Sequence, residues 1–372
     1  MKKLLIVGMG ELGSQVYQLL LNSGTPLRIV TADVDEDTGI RKTNLMKYVA
    51  GQMGIDREVE FVQMDLYNVE QTTEKIKKVN PDIVYTAATL QSWWVITTLP
   101  KDKFTKLDEA RFGPWLPMHL TLLYKLMQAI KQSGTNPIVI NSSFPDATHS
   151  VLRTAGLSPH MGIGNVHNVV QPLRNSIADL ISEPVQSVQI FLYLAHYVSH
   201  YIPRFGTAGG SPYIMKIFVN GQQRDDISHD AVFAALPKSR RRSGGLTGQI
   251  LTASSAAAIV RAVATDRHEM LHSPGVDGLP GGYAARIGEN GAKVILPKGL
   301  SLEDAVQVNK DGNTYDGIEE IRDDGTVIYT DREMAIMKDM FGYYCKEMKL
   351  EETEERSNEI REKFGRYAAQ FK

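Results

Sequence analysis

The densest run of proton-exchanging side chains is Ala195-His196-Tyr197-Val198-Ser199-His200-Tyr201-Ile202-Pro203-Arg204-Phe205-Gly206-Thr207-Ala208-Gly209-Gly210. It holds two of the nine histidines, two tyrosines and one arginine. Histidine changes charge near neutral pH, so His196 and His200 are the candidates for a general acid or base. The apolar stretch Val188–Val198 reads as a strand, and on a straight strand residues four apart face the same side. Arg204 offers a planar fork for a carboxylate. The Gly206-Thr207 loop exposes backbone N–H groups and a hydroxyl to an anion, and Tyr197 joins them as a substrate contact. A metal on the two histidines needs a third ligand, and no carboxylate lies near them in sequence, so no metal is expected. The competing reading is two satisfied histidines packed in an aromatic patch.

A second signal stands at the start of the chain. Gly8-Met9-Gly10-Glu11-Leu12-Gly13 is a G-x-G-x-x-G between an apolar run, Lys3–Val7, and a helical one, Leu12–Leu21. Gly8 makes the tight turn, Gly10 lets backbone approach a pyrophosphate, and Gly13 lets the helix pack on the strand. The helix N-terminus then faces the phosphates with free N–H groups and a positive dipole end. Asp33 lies at the expected offset for binding the adenine ribose. Its charge favours NAD over NADP, as do Asp35, Glu36 and Asp37, whereas Arg41 and Lys42 are the cations that could turn toward a 2′-phosphate. Asp65 and Leu66 follow a third strand and are placed near the adenine, with a helix N-cap as the other role for Asp65. Ala87 and Ala88 follow a fourth, where small side chains let a cofactor cross the strand ends.

These residues need a frame. Lys3–Val7, Leu27–Ala32, Val59–Gln63, Asp82–Ala87 and Pro137–Asn141 read as strands, with helices at Leu12–Leu21, Asn44–Met53, Val69–Lys78 and Trp115–Gln132. Short apolar strands alternating with helices predict a doubly wound parallel sheet, the α/β Rossmann class. The pattern changes after Gly164. Strands at Val188–Val198, Tyr213–Val219, Ala284–Ile287, Val294–Leu296 and Thr326–Tyr329, with a helix at Gln249–Thr265, predict an α+β second domain. Asp323-Asp324-Gly325 is a hairpin turn. From Asp331 the chain reads as two amphipathic helices in which Met334, Met337 and Met340 share a face. The expected division is 1–168 for nucleotide binding, 169–330 for substrate or dimerisation, and 331–372 for the helices, with docking back on the first domain as one placement.

Composition narrows the classes. The 372 residues carry 41 basic and 43 acidic side chains, a net charge of −2, so there is no large basic field for nucleic acid or an anionic membrane. Cys345 is the single cysteine and cannot form an internal disulfide. No apolar run reads as long enough to span a bilayer, and a cytoplasmic protein is expected. Ser239–Gly245, with three consecutive arginines, reads as a solvated loop, with anion binding as its alternative.

Several segments resemble known families. Pro81–Ala88 with Asp65-Leu66 resembles the extended, epimerase-like short-chain dehydrogenases. Asn141-Ser142-Ser143-Phe144-Pro145-Asp146, with Gly156-Leu157-Ser158-Pro159 and Gly162-Ile163-Gly164-Asn165, is similar to the saccharopine dehydrogenase-like reductases. Together these cover about the first 170 residues and imply an NAD(P)-binding Rossmann oxidoreductase. The Tyr-x-x-x-Lys pair of the short-chain family is absent, so that mechanism does not carry over. The His196–Gly210 stretch partly resembles dihydrodipicolinate reductases. Ala253-Ser254-Ser255-Ala256, with Arg286-Ile287-Gly288 and Leu296-Pro297, is faintly similar to lactate and malate dehydrogenases, whose Gly-Glu-His-Gly-Asp run is missing.

The reading that follows is hydride transfer to or from a small anionic amino, imino or hydroxy acid, in a homo-oligomer. Its alternatives are an epimerase or lyase with tightly held NAD, and a non-enzymatic NAD(H) sensor. His167 and Asn168 are further candidates for the nicotinamide side, or a helix start capped by Asn165. Trp93 and Trp94 stand as a pocket wall or as core.

Overall fold

The structure is a computed structural model and describes residues 1–371. Its first half runs β1 (Lys2–Val7), α1 (Glu11–Asn22), β2 (Leu27–Asp33), α2 (Glu36–Gln52), β3 (Val59–Gln63), α3 (Val69–Val79), β4 (Ile83–Thr86), α4 (Lys101–Asp108), α5 (Leu116–Ser133), β5 (Ile138–Asn141), α6 (Pro145–Thr154) and β6 (Met161–Gly162). The six strands form one parallel sheet in the order β3-β2-β1-β4-β5-β6. Leu4–Val7 and Ile83–Thr86 are buried throughout, because helices cover both faces of the sheet. This is the Rossmann arrangement, in which ligands lie outside the carboxyl ends of the strands. The second helix begins earlier than expected. Asp35 caps α2 by accepting from the Thr38 backbone N–H at 3.0 Å, so Glu36 and Asp37 belong to its first turn.

The chain continues through α7 (Val166–Ile181), β7 (Val188–Leu194), α8 (His196–Phe205), β8 (Tyr213–Val219), β9 (Gln222–Gln223), α9 (His229–Ser239), α10 (Gly245–Ala264), β10 (Glu269–Pro274), β11 (Gly282–Gly288), β12 (Gly291–Val294) and α11 (Leu302–Asn313). An antiparallel sheet, β10-β11-β7-β8-β9 with β12 against β11, forms the second layer. One expectation is corrected here. The strand read as Val188–Val198 stops at Leu194, and His196 opens a helix. His196 and His200 still share a face, because residues four apart stack on consecutive turns of a helix.

Helix α10 also corrects the reading of apolar runs. Its length and mean hydropathy of 1.3 suffice, on those grounds alone, to cross a bilayer. It packs instead through Ala253, Ala256, Ile259 and Val260 into one apolar cluster with Val16, Tyr17 and Leu20 of α1.

The last elements are β13 (Ile318–Ile321), β14 (Val327–Tyr329), α12 (Asp331–Phe341), β15 (Glu347–Met348) and α13 (Thr353–Ala369), the three strands forming a small antiparallel sheet. Met334, Met337 and Met340 are buried in one cluster with Leu116, Leu120 and Leu123 of α5 and with Ile360 and Phe364 of α13. Trp115 meets Phe364 edge-on at 5.1 Å between ring centroids. The tail thus covers the helix that leads into β5. Met337→Ala opens a cavity in this layer, and urea unfolding should show a loss of about 2–5 kcal/mol. A loss below the cost of an ordinary surface change would mean that the tail contributes little to the fold.

Candidate functional site

The site is built where β1, β4 and β5 end. Gly8 adopts φ +94°, and a Cβ there would lie 2.8 Å from the Ala88 backbone nitrogen. A Cβ on Gly13 would lie 1.9 Å from the Gly8 carbonyl oxygen, so the helix can approach the turn only without a side chain there. Gly10 faces open space and heads α1 without any side-chain cap. The first N–H groups of α1 therefore point out of the turn with no intrahelical partner, which is a cradle for a diphosphate. Asp33 accepts from the Met9 N–H at 2.6 Å and from the Asp35 N–H at 3.1 Å, one carboxylate oxygen to each. The carboxylate is thus fixed beside the turn, and each oxygen retains a lone pair for a hydroxyl.

The neighbouring positions are mixed. Met9 is buried in the core, Glu11 is exposed and Leu12 half-buried. The cations weighed against NAD are engaged by acids: Arg41 meets Asp37 at 2.8 Å, and Lys42 lies 3.8 Å from Glu11. Ala87 donates its N–H to the Val7 carbonyl at 2.8 Å. Asp65 accepts from the Tyr67 N–H at 2.9 Å, while Asn68, not Asp65, caps α3. The Leu66 side chain lies in the core, so its backbone alone can face the strand ends.

At the end of β5, Asn141 accepts from the Ser143 N–H at 2.9 Å and lies 3.1 Å from His149 Nε2. His149 Nδ1 is 2.7 Å from the Gly275 carbonyl oxygen. The ring therefore donates through Nδ1 and accepts from the Asn141 amide through Nε2. Ser143 donates to the Ala88 carbonyl at 3.0 Å, which ties the β4 and β5 ends together. Phe144 takes a left-handed conformation, φ 45°, and turns the chain into α6, whose first turn carries Asp146.

His196 is buried against this turn. Its Nδ1 is 2.9 Å from Asp316 Oδ2, on the 3-10 turn Thr314–Asp316 that follows α11. Phe112 stacks on the ring at 4.8 Å, Phe144 meets it edge-on at 5.0 Å, and His200 lies 4.3 Å away, centroid to centroid. Burial opposes the charge on His196, but the Asp316 carboxylate, its hydrogen bond and the Asp146 charge outweigh it and leave the pKa raised. Burial pushes Asp146 up to about 6, although the His196 charge and the Asn165 amide pull it down. The other two histidines of the cluster stay neutral. Burial, with the His196 charge, takes His119 down to about 3 and His200 well below the ordinary range.

The remaining sequence candidates sit around this core. Tyr197 stacks on Tyr201 at 4.9 Å, with the Arg111 guanidinium 5.4 Å from its ring centroid. Arg204 is engaged by Asp108 at 2.9 and 3.4 Å. The Thr207 hydroxyl accepts from the Gly209 N–H at 3.1 Å within its own exposed turn. Asn165 heads α7 but does not cap it, because its amide donates to Asp146. Asn168 donates to Thr252 at 2.9 Å, and His167 lies against His272. Trp93 is partly exposed on a short 3-10 helix. Sequence reasoning missed Asp316, Phe112 and His119 as site residues, and it gave Asp146 no role of its own. Asp316 is 120 positions from His196, so no local pattern links the two.

No protein-family model matches the chain, and no curated protein matches it by sequence. Its fold is similar to solved structures. Malate dehydrogenase from Cryptosporidium parvum shares 17% identity over 84% of this chain and 96% of its own, at a TM-score of 0.57. Lactate dehydrogenase from Eimeria maxima, solved with NADH and oxamate, shares 16% over 84% and 92%, also at 0.57. Malate dehydrogenase from Plasmodium falciparum, in complex with NADH, shares 16% over 85% and 98%, at 0.54. At these identities the likeness establishes the fold. These neighbours belong to the group that the Ala253–Ala256 segment resembles, rather than to the saccharopine dehydrogenase-like reductases.

The buried histidines make stability depend on acid. Burial holds His119 and His272 at about 3 and His149 and His167 at about 4, so all four are neutral in the fold. Unfolded, they take up protons near pH 6.5, and their contribution is therefore lost as pH falls below that value. His160, His200 and His229 are lowered by burial as well, so the raised His196, Asp146 and Asp277, which act in the opposite sense, are outnumbered. Calorimetry should show a melting temperature that is level above pH 7 and falls progressively from pH 6.5 to 4. A level profile across that range would contradict the neutral assignments.

Proposed function

We propose that the chain is an NAD-dependent oxidoreductase acting on a small anionic hydroxy acid or the corresponding oxo acid. The observation that carries this is the buried His196–Asp316 pair, which packs on Phe144 just past the carboxyl end of β5, in the same parallel sheet whose β1 and β2 carboxyl ends carry the Gly8–Gly13 turn and Asp33. The residues fit the group: the uncapped start of α1 would hold the pyrophosphate, and Asp33 the adenine ribose. When bound, the nicotinamide would supply or accept a hydride. Asp33 supports NAD over NADP, since a carboxylate repels a 2′-phosphate. The neighbours solved with NADH, and one of them with oxamate, support the same cofactor and an acid substrate.

In the reducing direction, His196 donates a proton to the substrate oxygen, and in the oxidising direction it accepts one. Asp316 holds the Nδ1 side, which leaves Nε2 for the substrate, and it stabilises the charged ring. Phe112 and Phe144 keep water from the ring faces. Arg111 is a candidate for the substrate carboxylate, because among the described residues its guanidinium makes one hydrogen bond, to the Asp108 carbonyl at 3.4 Å, and no ion pair. Arg204 and Thr207 would join the clamp only after leaving Asp108 and the Gly209 N–H. His200 and Tyr197 wall the same space.

Two measurements check this reading. NADH should raise the melting temperature more than NADPH, and Asp33→Ala should narrow that difference. His196→Asn should keep the NADH shift and lower turnover of 2-hydroxy acids by about 10²–10⁴-fold. Full turnover in that variant would remove His196 from the mechanism.

A further inference from the structure

Asp146 is the carboxylate of the site that hydride transfer, as described, leaves without a task. It is completely buried in the first turn of α6. One carboxylate oxygen accepts from the Asn165 amide, and the other has no hydrogen-bond partner among the described residues. Two constraints fix it there. The Asp146 carbonyl accepts from the Gly281 N–H at 3.0 Å, and Asn165 holds a left-handed backbone, φ 46°, to deliver its amide. A buried carboxylate with an unsatisfied oxygen is costly, so its retention calls for a compensating charge. Phe144, two residues before Asp146, packs edge-on against the His196 ring at 5.0 Å, which sets the first turn of α6 beside His196, and His196 and Asp316 are the charged groups that act on the carboxylate.

With His196 protonated, the cluster holds two carboxylates and one imidazolium. Once His196 gives its proton away, two buried carboxylates remain with no cation. The other titratable groups facing the cluster offer no relief. His119 from α5 and His200 from α8 are neutral, the latter disfavoured as a cation by Arg204 and Arg242 as well as by burial. Arg111 lies over the Tyr197 ring, 5.4 Å from its centroid, and is not among the charges that act on Asp146.

We propose that Asp146 is a proton-storing partner of His196, a buried carboxyl that takes up a proton when His196 releases one. In the reducing direction the His196 N–H bond breaks and an O–H bond forms on the substrate oxygen. The Asp146 carboxylate then takes a proton from hydronium, leaving water, and returns it to solvent when His196 is recharged. No electrons move in this exchange. Asn165 is a positioning residue, since its donor favours the ionised form of Asp146. The inference rests on the proton-exchanging role of His196, but its test needs no turnover.

The test is a histidine-ring NMR titration of the full chain, with the His196 resonance assigned from the His196→Asn spectrum. In Asp146→Asn the midpoint of His196 should fall by about one pH unit, because a neighbouring negative charge is lost. Asn165→Ala should move it in the same direction by less. Both variants titrating like the wild type, with or without a lower melting temperature, would overturn the proposal and leave Asp146 a purely structural group. If Asp146→Asn does not fold, Asn165→Ala alone decides. A coupled titration in a protein without turnover would leave this inference standing and sink the catalytic reading.

Discussion

The contact between His196 and Asp316 is the interaction on which the site depends. Asp316 arrives from the far end of α11, and His196 opens the helix behind β7. Their pairing brings the turn after α11 and the start of α8 onto the carboxyl ends of the parallel strands. Gly113 makes room for it, since a Cβ there would lie 2.5 Å from the Asp316 carbonyl oxygen. Without the carboxylate, burial between Phe112 and Phe144 would leave His196 a neutral core residue, as it does His119. The same ring in the same pocket is thus held ready to carry a proton, or left neutral, according to its acidic neighbours.

The strand ends facing this pair are held by backbone and side-chain bonds rather than by bulk. The chain Asn141, His149, Gly275 ties the β5 end to the loop after β10, and Ser143 ties it to β4. Left-handed Phe144 and Asn165 flank Asp146 on either side of this framework. Backbone in that region is held only where its surroundings determine it, and here the surroundings are the hydrogen bonds of the site. The apolar faces of the tail helices pack on α5, the element that precedes β5.

Much of this was legible in the residues. Short apolar runs such as Leu4–Val7 admit little besides a buried strand, and the glycines at 8, 10 and 13 each answer to a contact or to open space in the structure. Asp33 stood at an offset set by the length of one βαβ step. The helix at His196 was missed because the run from Val188 stays apolar past Leu194, and a continuous apolar run carries no period to separate strand from helix. Arg204 was read as a clamp because its partner, Asp108, lies on a helix of the other sheet. Asp316 and Phe112 were invisible for the same reason: their proximity to His196 is a product of tertiary packing, which leaves no mark in local spacing.

The central claim is that a buried histidine–aspartate pair and a nucleotide turn meet to move a hydride and a proton together. It is tested most directly by incubating the protein with NADH deuterated at the transferable position and a set of small 2-oxo acids, and reading the products by mass spectrometry. The account predicts deuterium on the carbon that bears the new hydroxyl in at least one product, and none with His196→Asn. A folded protein that binds NADH yet leaves every oxo acid free of deuterium would contradict it.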